Sequence, residues 1–209
     1  MKIYEVLMRV ETEDGMEPER VQQEFYDACE NVPFGFDIIN VTRGVPSMSL
    51  KDVDGLAERA HAGQVDKIGV PYIGHVRAVA AGLAPFGETA QMAGLLHDVL
   101  EDTKWTVEGL LGVGVPKPVV DIVQIVTKAP GVAYLGNLKT IVTSGSEVAV
   151  LVKIADNAHN SRPDRAQFLS TEQRTRLKSK YAAAREILWP AAARKDVEAI
   201  IEIVNPDLF

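Results

Sequence analysis

The chain carries one cysteine in 209 residues, Cys29. That excludes an internal disulfide and a thiolate metal cage, and in a helical stretch a lone thiol is expected to be a small core residue. Net positive charge is also missing: 22 Lys and Arg stand against 29 Asp and Glu, a formal −7. A protein that lives on nucleic acid needs a cationic surface, so no nucleic-acid partner is expected. No apolar run approaches the roughly 20 residues of a membrane-spanning helix. The first ten residues alternate charged and apolar side chains instead of forming a secretory signal. Internal repeats and low-complexity tracts are absent too. These absences point to a cytoplasmic protein with no membrane partner.

What is present fits one substantial core: 46% of residues are hydrophobic and 24% charged. The charge is uneven. Residues 1–58 hold thirteen Asp and Glu against five Lys and Arg, whereas residues 162–195 hold nine Lys and Arg against three Asp and Glu. The basic segment can lean toward an anionic ligand, but a solvated helix face is the simpler explanation.

Two regions are expected. In residues 1–48, Lys2–Glu11 and Phe34–Thr42 read as strands around a helix at Glu17–Cys29 with Val21, Phe25 and Ala28 inward, a small β-α-β unit that ends in the punctuation Gly44-Val45-Pro46. No chemistry is evident there, and covering an edge, making a homo-oligomer or binding a partner all stay open. From residue 49 to 209 the pattern is helical. Helices are expected at Ser49–His61, Pro71–Ala84, Glu88–Glu101, Thr106–Leu111, Lys117–Thr127, Val132–Thr143, Ser146–Asn160 and Thr171–Arg194, the last kinked or ended by Pro190, with Val197–Val204 after it. The fold class is therefore mainly α: a helical bundle with a small N-terminal β-α-β appendage.

The chemistry concentrates in Leu95–Thr103. On a continuous helix, apolar Met92, Leu95, Leu96, Val99 and Leu100 would face the core, while His97, Asp98, Glu101 and Asp102 would share a side. So many acids repel one another unless a cation or substrate satisfies them. His75 lies one turn into a helix, where a lone histidine is more often a packed core residue. Asp156 lies in an apolar stretch, Val148–Ala155, and needs a cation partner; Asn160 follows on the same face. Lys67 sits between Gly63 and Gly69 in a loop that can point it at a phosphate. A site of His75, His97, Asp98 and Asp156 would mix imidazole and carboxylate ligands, which suits Mn²⁺, Fe²⁺ or Zn²⁺ with positions left for water and substrate. Glu101 and Asp102 would then serve as acid and base in a hydrolysis.

These residues resemble the HD-domain metal-dependent phosphohydrolases, and within them the hydrolase domain of the RelA/SpoT alarmone enzymes and its small free-standing homologues. His75, His97-Asp98 and Asp156 look like that family's H…HD…D metal set, and His97-Asp-Val-Leu-Glu-Asp-Thr103 is similar to the version in which Glu101 and Asp102 would be catalytic. Ala60-His61, Gly63-Gln64, Lys67, Gly69 and Pro71-Tyr-Ile follow the same branch. So does Lys153-Ile-Ala-Asp-Asn-Ala-His-Asn-Ser-Arg162, where Asn160 resembles the nucleotide-sugar contact and Arg162 lies beside it. The resemblance covers about residues 50–165.

It implies a Mn²⁺-dependent enzyme that removes the 3′-diphosphate from a (p)ppGpp-like nucleotide. The alternatives are a phosphatase acting on a nucleoside monophosphate or the 2′-phosphate of NADPH, and a non-catalytic module that binds alarmone. One departure bears on the base: relatives usually carry Arg-Lys where this chain has Asp66-Lys67. A carboxylate cannot stack on a purine as a guanidinium does, so weak selectivity for guanine is expected. Pro163 also replaces the usual small polar residue after Arg162.

Overall fold

In the computed structural model of the protein, the described residues are 10, 16–29 and 47–208, and the chain divides into two units, Met1–Val45 and Pro46–Phe209. The expected strands Lys2–Glu11 and Phe34–Thr42 lie outside the described residues, apart from Val10. Of the first unit, helix α1 (Pro18–Ala28) is described. It opens with proline in its first turn, which forfeits no helical hydrogen bond there. Val21 and Phe25 are half-buried, whereas Ala28 is exposed and Cys29, just past the helix end, is half-buried and not a core residue.

The second unit is helical. Its elements are α2 (Leu50–Ala60), α3 (Ile73–Gly82), α4 (Glu88–Leu96), α5 (Val99–Asp102), α6 (Val107–Gly112), α7 (Lys117–Val126), α8 (Tyr134–Thr143), α9 (Glu147–Asn160), α10 (Thr171–Leu188) and α11 (Arg194–Val204). Several starts follow directly from local chemistry. Ser49 and Asp52 form a reciprocal capping box on α2, Ser170 and Gln173 do so on α10, and Thr106 and Ser146 accept from N–H groups in the first turns of α6 and α9. Pro190 has the expected effect: α10 stops at Leu188 and a 3-10 turn, Trp189–Ala191, leads into α11.

Helix α9 is the axis of the unit. It packs against α3, α4, α7, α8, α10 and α11, and is buried from Ala149 to His159. Two glycines let α3 come close to its neighbours. A Cβ on Gly82 would collide with Val204 of α11, and one on Gly94 of α4 would lie 2.8 Å from Leu83 Cδ1 and 3.0 Å from the Ala80 backbone. This approach brings His75 of α3 beside the end of α4.

The expected helix Glu88–Glu101 is broken. Helix α4 ends at Leu96 and α5 begins at Val99, with Asp98 at φ −105°, ψ 0° between them. The carbonyl of Gly94, which a continuous helix would give to the N–H of Asp98, accepts a hydrogen bond from His97 Nδ1 at 2.8 Å. His97 and Asp98 therefore stand at a corner, free to point together at α3 and α9.

Candidate active site

The corner, α3 and α9 each contribute to one cluster. Ligand-type atoms of His75, His97 and Asp156 all lie within 4.8 Å of one another. His75 Nε2 is 3.3 Å from Asp156 Oδ1, His97 Nε2 is 2.9 Å from Asp98 Oδ2, and the crossed distances, His75 to Asp98 and His97 to Asp156, are both 3.8 Å. The two imidazoles are essentially inaccessible, at 1% and 0% of side-chain surface. Their Nε2 atoms are close to carboxylates but not aligned for hydrogen bonding, and each is a buried atom without a hydrogen-bond partner.

The tautomers follow from the other ring nitrogens. A carbonyl can only accept, so His97 Nδ1 carries the proton it gives to Gly94, and in the neutral ring that a metal requires Nε2 keeps the lone pair. His75 Nδ1 is 2.7 Å from His159 Nδ1, and one of the two must donate. Burial first, and then the neighbouring His75, push the His159 pKa down to about 3, so His159 is neutral and able to accept. With His75 as the donor of that bond, its Nε2 keeps a lone pair as well. Two aimed lone pairs and two carboxylates, with no sulfur, fit a divalent cation such as Mn²⁺, Fe²⁺ or Zn²⁺.

The acids are held as anions. Burial opposes ionisation of Asp156, but the Lys153 ammonium 2.6 Å away, with His75, outweighs it and keeps the pKa well below the carboxylate range. Lys153 is thus the cation that Asp156 required, one helical turn before it. Burial likewise opposes ionisation of Asp98, and His97 overcomes it; Tyr72 also donates to Asp98 at 2.5 Å. The same carboxylates raise the pKa of His97 against its burial. Positive charge is what this pocket attracts.

The remaining expected residues separate into those near the cluster and those engaged elsewhere. Asn160 donates to Asp156 at 2.5 Å. Asp102 accepts from Gln64 Nε2 at 3.0 Å, and Gln64 is in turn 2.7 Å from His61 Nδ1. Glu101 accepts from the Lys128 backbone N–H at 2.6 Å. Each acid keeps one carboxylate oxygen on a neighbouring loop. Arg162 turns to Asp164, at 3.0 and 3.1 Å, and to the carbonyl of Val204, which ties the end of α9 to α11.

Lys67 sits at the tip of a turn in which Gly69 N–H donates to the Asp66 carbonyl, closed by an antiparallel bridge between Val65 and Pro71. Asp66 is not an open carboxylate at the site mouth. Its side chain is 6% exposed, accepts from the N–H groups of Ile68 and Val70 at 3.0 Å, and lies 3.2 Å from Arg165 Nη1. The arginine missing from the loop has a counterpart arriving from the turn Pro163–Ala166. Sequence reasoning missed Arg165, His159, Tyr72 and the Gln64–Asp102 link. Tyr72 and His159 each fall three residues from a candidate ligand, a spacing that carried the signal; Arg165 offers no such local clue.

Comparison with known proteins places these features in context. No family model matches the chain. It is 35% identical over 153 residues to a probable GTP pyrophosphokinase of Mycobacterium leprae, an alignment covering 69% of this chain and 19% of that protein. It is 35% identical over 156 residues to a guanosine-3′,5′-bis(diphosphate) 3′-pyrophosphohydrolase of Haemophilus influenzae, covering 69% and 22%. To the bifunctional (p)ppGpp synthase/hydrolase SpoT of Escherichia coli it is 36% identical over 138 residues, covering 56% and 19%. The chain thus spans about a fifth of the length of these relatives. Among solved structures, a metazoan ortholog of SpoT superposes with a TM-score of 0.60 at 23% identity, covering 80% of this chain and all of that one, so the helical fold is shared.

Proposed function

The chain belongs to the hydrolase-domain family of the RelA/SpoT proteins, and on that premise we propose that it is a metal-dependent phosphohydrolase that removes the 3′-diphosphate from a (p)ppGpp-like nucleotide. The observation that carries this reading is the pair of buried Nε2 atoms of His75 and His97, which have no hydrogen-bond partner and lie beside the carboxylates of Asp98 and Asp156. A site kept only for structure would have satisfied those atoms with hydrogen-bond donors.

His75, His97, Asp98 and Asp156 would hold the ion, Mn²⁺ in our assignment, with the His97–Gly94 and His75–His159 hydrogen bonds fixing ring orientation. A divalent ion there supplies Lewis-acid polarisation of a phosphoryl group and offsets its charge. Glu101 and Asp102 serve as the acid–base pair. One oxygen of each is anchored, to Lys128 N–H and to Gln64, and the other is left to take a proton from the attacking water or return one to the departing ribose 3′-oxygen as its bond to phosphorus breaks. Lys67, at its turn tip, meets phosphate charge, and Asn160 meets the sugar. Lys153 keeps Asp156 ionised through every step.

We assign this activity to residues 49–209 and none of it to residues 1–48. We assign the enzyme to the cytoplasm, where it would act on a small nucleotide; no helix among the described residues is long and apolar enough to cross a membrane.

The test is turnover of guanosine 3′,5′-bis(diphosphate) by purified protein with Mn²⁺, read as release of diphosphate and guanosine 5′-diphosphate. Hydrolysis that stops in chelator and returns with Mn²⁺ is expected. Turnover of NADPH or a nucleoside monophosphate in its place would move the substrate class while leaving the metal chemistry.

A further inference from the structure

The loop between α2 and α3 grips both ends of α5. Tyr72 donates to Asp98 at 2.5 Å, and Gln64 Nε2 donates to Asp102 at 3.0 Å. The two grips are one unit, because the Tyr72 N–H donates to the Gln64 carbonyl at 2.9 Å; so are their targets, because the Asp102 N–H donates to the Asp98 carbonyl at 2.9 Å. Behind Gln64 stands His61, the residue that ends α2, 3% exposed and with its ring centroid 5.2 Å from that of Tyr72. His61 Nδ1 is 2.7 Å from Gln64 Oε1.

The end of this chain of bonds fixes the direction of each. An ionised Asp102 can only accept, so the Gln64 amide turns its NH2 toward it and its oxygen the other way. That oxygen can only accept too, so His61 Nδ1 carries a proton. His61 Nε2 is a buried atom with no hydrogen-bond partner among the described residues. A ring kept merely to fill space strands a polar atom that phenylalanine would not, at a cost in stability. What His61 contributes is its other nitrogen. Gly63, at φ +77°, turns the chain so that the Gln64 N–H reaches back to the His61 carbonyl at 3.0 Å, and the two side chains meet within this turn.

We propose that His61 and Gln64 are positioning residues for Asp102: His61 fixes the rotation of the Gln64 amide, and the amide fixes the rotation of the Asp102 carboxylate. Asp102 is exposed, and the last torsion of an aspartate is soft and nearly two-fold, so an untethered carboxylate would present either oxygen over a wide arc. With Oδ2 held by Gln64, Oδ1 is the oxygen left for proton transfer. Tyr72, holding Asp98 from the same loop, keeps the acid–base group at a constant offset from the metal ligand. The pair rests on the phosphohydrolase reading and deepens it, since both residues act through Asp102 and not on the substrate.

Steady-state hydrolysis of guanosine 3′,5′-bis(diphosphate) with Mn²⁺ tests the pair. Gln64→Leu removes the tether, and His61→Phe keeps a ring against Tyr72 but removes the donor. Both should lower kcat about 10–100-fold, the scale for losing a partner that orients a working group, with KM and bound metal within about threefold of wild type. His61→Asn puts an amide nitrogen where Nδ1 stood and should hold kcat within about threefold of wild type. Placed on Asp102→Asn, Gln64→Leu should lower kcat by no more than about twofold further, because the group it orients is already disabled. An unchanged kcat in Gln64→Leu or His61→Phe, equal losses in His61→Phe and His61→Asn, or a full additional loss on Asp102→Asn would overturn the proposal. Nitrogen NMR of the metal-free protein, which has four histidines, reads the arrangement without turnover. A proton on His61 Nδ1 is expected, and its absence overturns the pair. That proton in place, in a protein that does not hydrolyse the bis(diphosphate), sinks the hydrolase reading instead.

Discussion

Asp66 and Arg165, 99 positions apart, meet at 3.2 Å with 6% and 17% of their side chains exposed. Asp66 thereby organises the turn that presents Lys67, and the guanidinium absent from the loop is present beside it from another segment. Asp66→Arg would remove two backbone caps and set two guanidinium groups against each other. We expect it to cost about 1–3 kcal/mol, the range for stranding a buried polar group, rather than to confer guanine selectivity. Urea unfolding of Asp66→Arg and Asp66→Asn measures this; a variant as stable as wild type would show the pair to be idle.

Metal occupancy should report on stability as well as activity. An ion that binds only the folded protein adds about 2.7 kcal/mol at a hundredfold excess over Kd, so the melting temperature should climb with Mn²⁺ concentration. His75→Ala, His97→Ala and Asp98→Ala should abolish both the climb and the bound metal. Asp156→Ala should in addition lower the metal-free melting temperature, because it strands the buried Lys153. A Mn²⁺-dependent rise that persists in His97→Ala refutes the assignment.

Glu101→Gln and Asp102→Asn keep shape and remove charge. Metal content should stay at the wild-type level while kcat falls by about two to four orders of magnitude, the usual scale of positioned acid–base help. Coordinate loss of metal, measured by elemental analysis, would make these groups ligands.

Two glycines should respond oppositely to alanine. Helix propensity favours Ala by about 1 kcal/mol at both. In Gly94→Ala the new methyl meets Leu83 Cδ1 at 2.8 Å and the Ala80 backbone at 3.0 Å, so overpacking of about 1–3 kcal/mol should win and destabilise the protein. Gly136 is exposed within α8, and its nearest neighbour, Val132 Cγ1, is at 3.7 Å, ordinary contact. Gly136→Ala should stabilise. Thermal unfolding of both variants decides, and stabilisation by Gly94→Ala would contradict the close packing of α3 on α4.

Local sequence determined the helices of the second unit, because apolar spacing, capping residues and proline all act within a few positions. Ser49 and Ser170 mark starts, and Pro190 marks a stop. Local sequence also marked the chemistry, since His75, His97-Asp98 and Asp156 each carry a short recognisable neighbourhood. It did not determine the break after Leu96. Helical periodicity runs unbroken through Glu101, and the interruption accompanies the His97 imidazole taking the Gly94 carbonyl, with Tyr72 holding Asp98 from 26 positions away. Which proton each histidine carries, which partners fix Glu101 and Asp102, and the pairing of Asp66 with Arg165 were likewise decided in three dimensions. Hydrogen bonds and ion pairs depend on distance in space, and residues far apart in the chain leave no spacing in the sequence by which their meeting can be read.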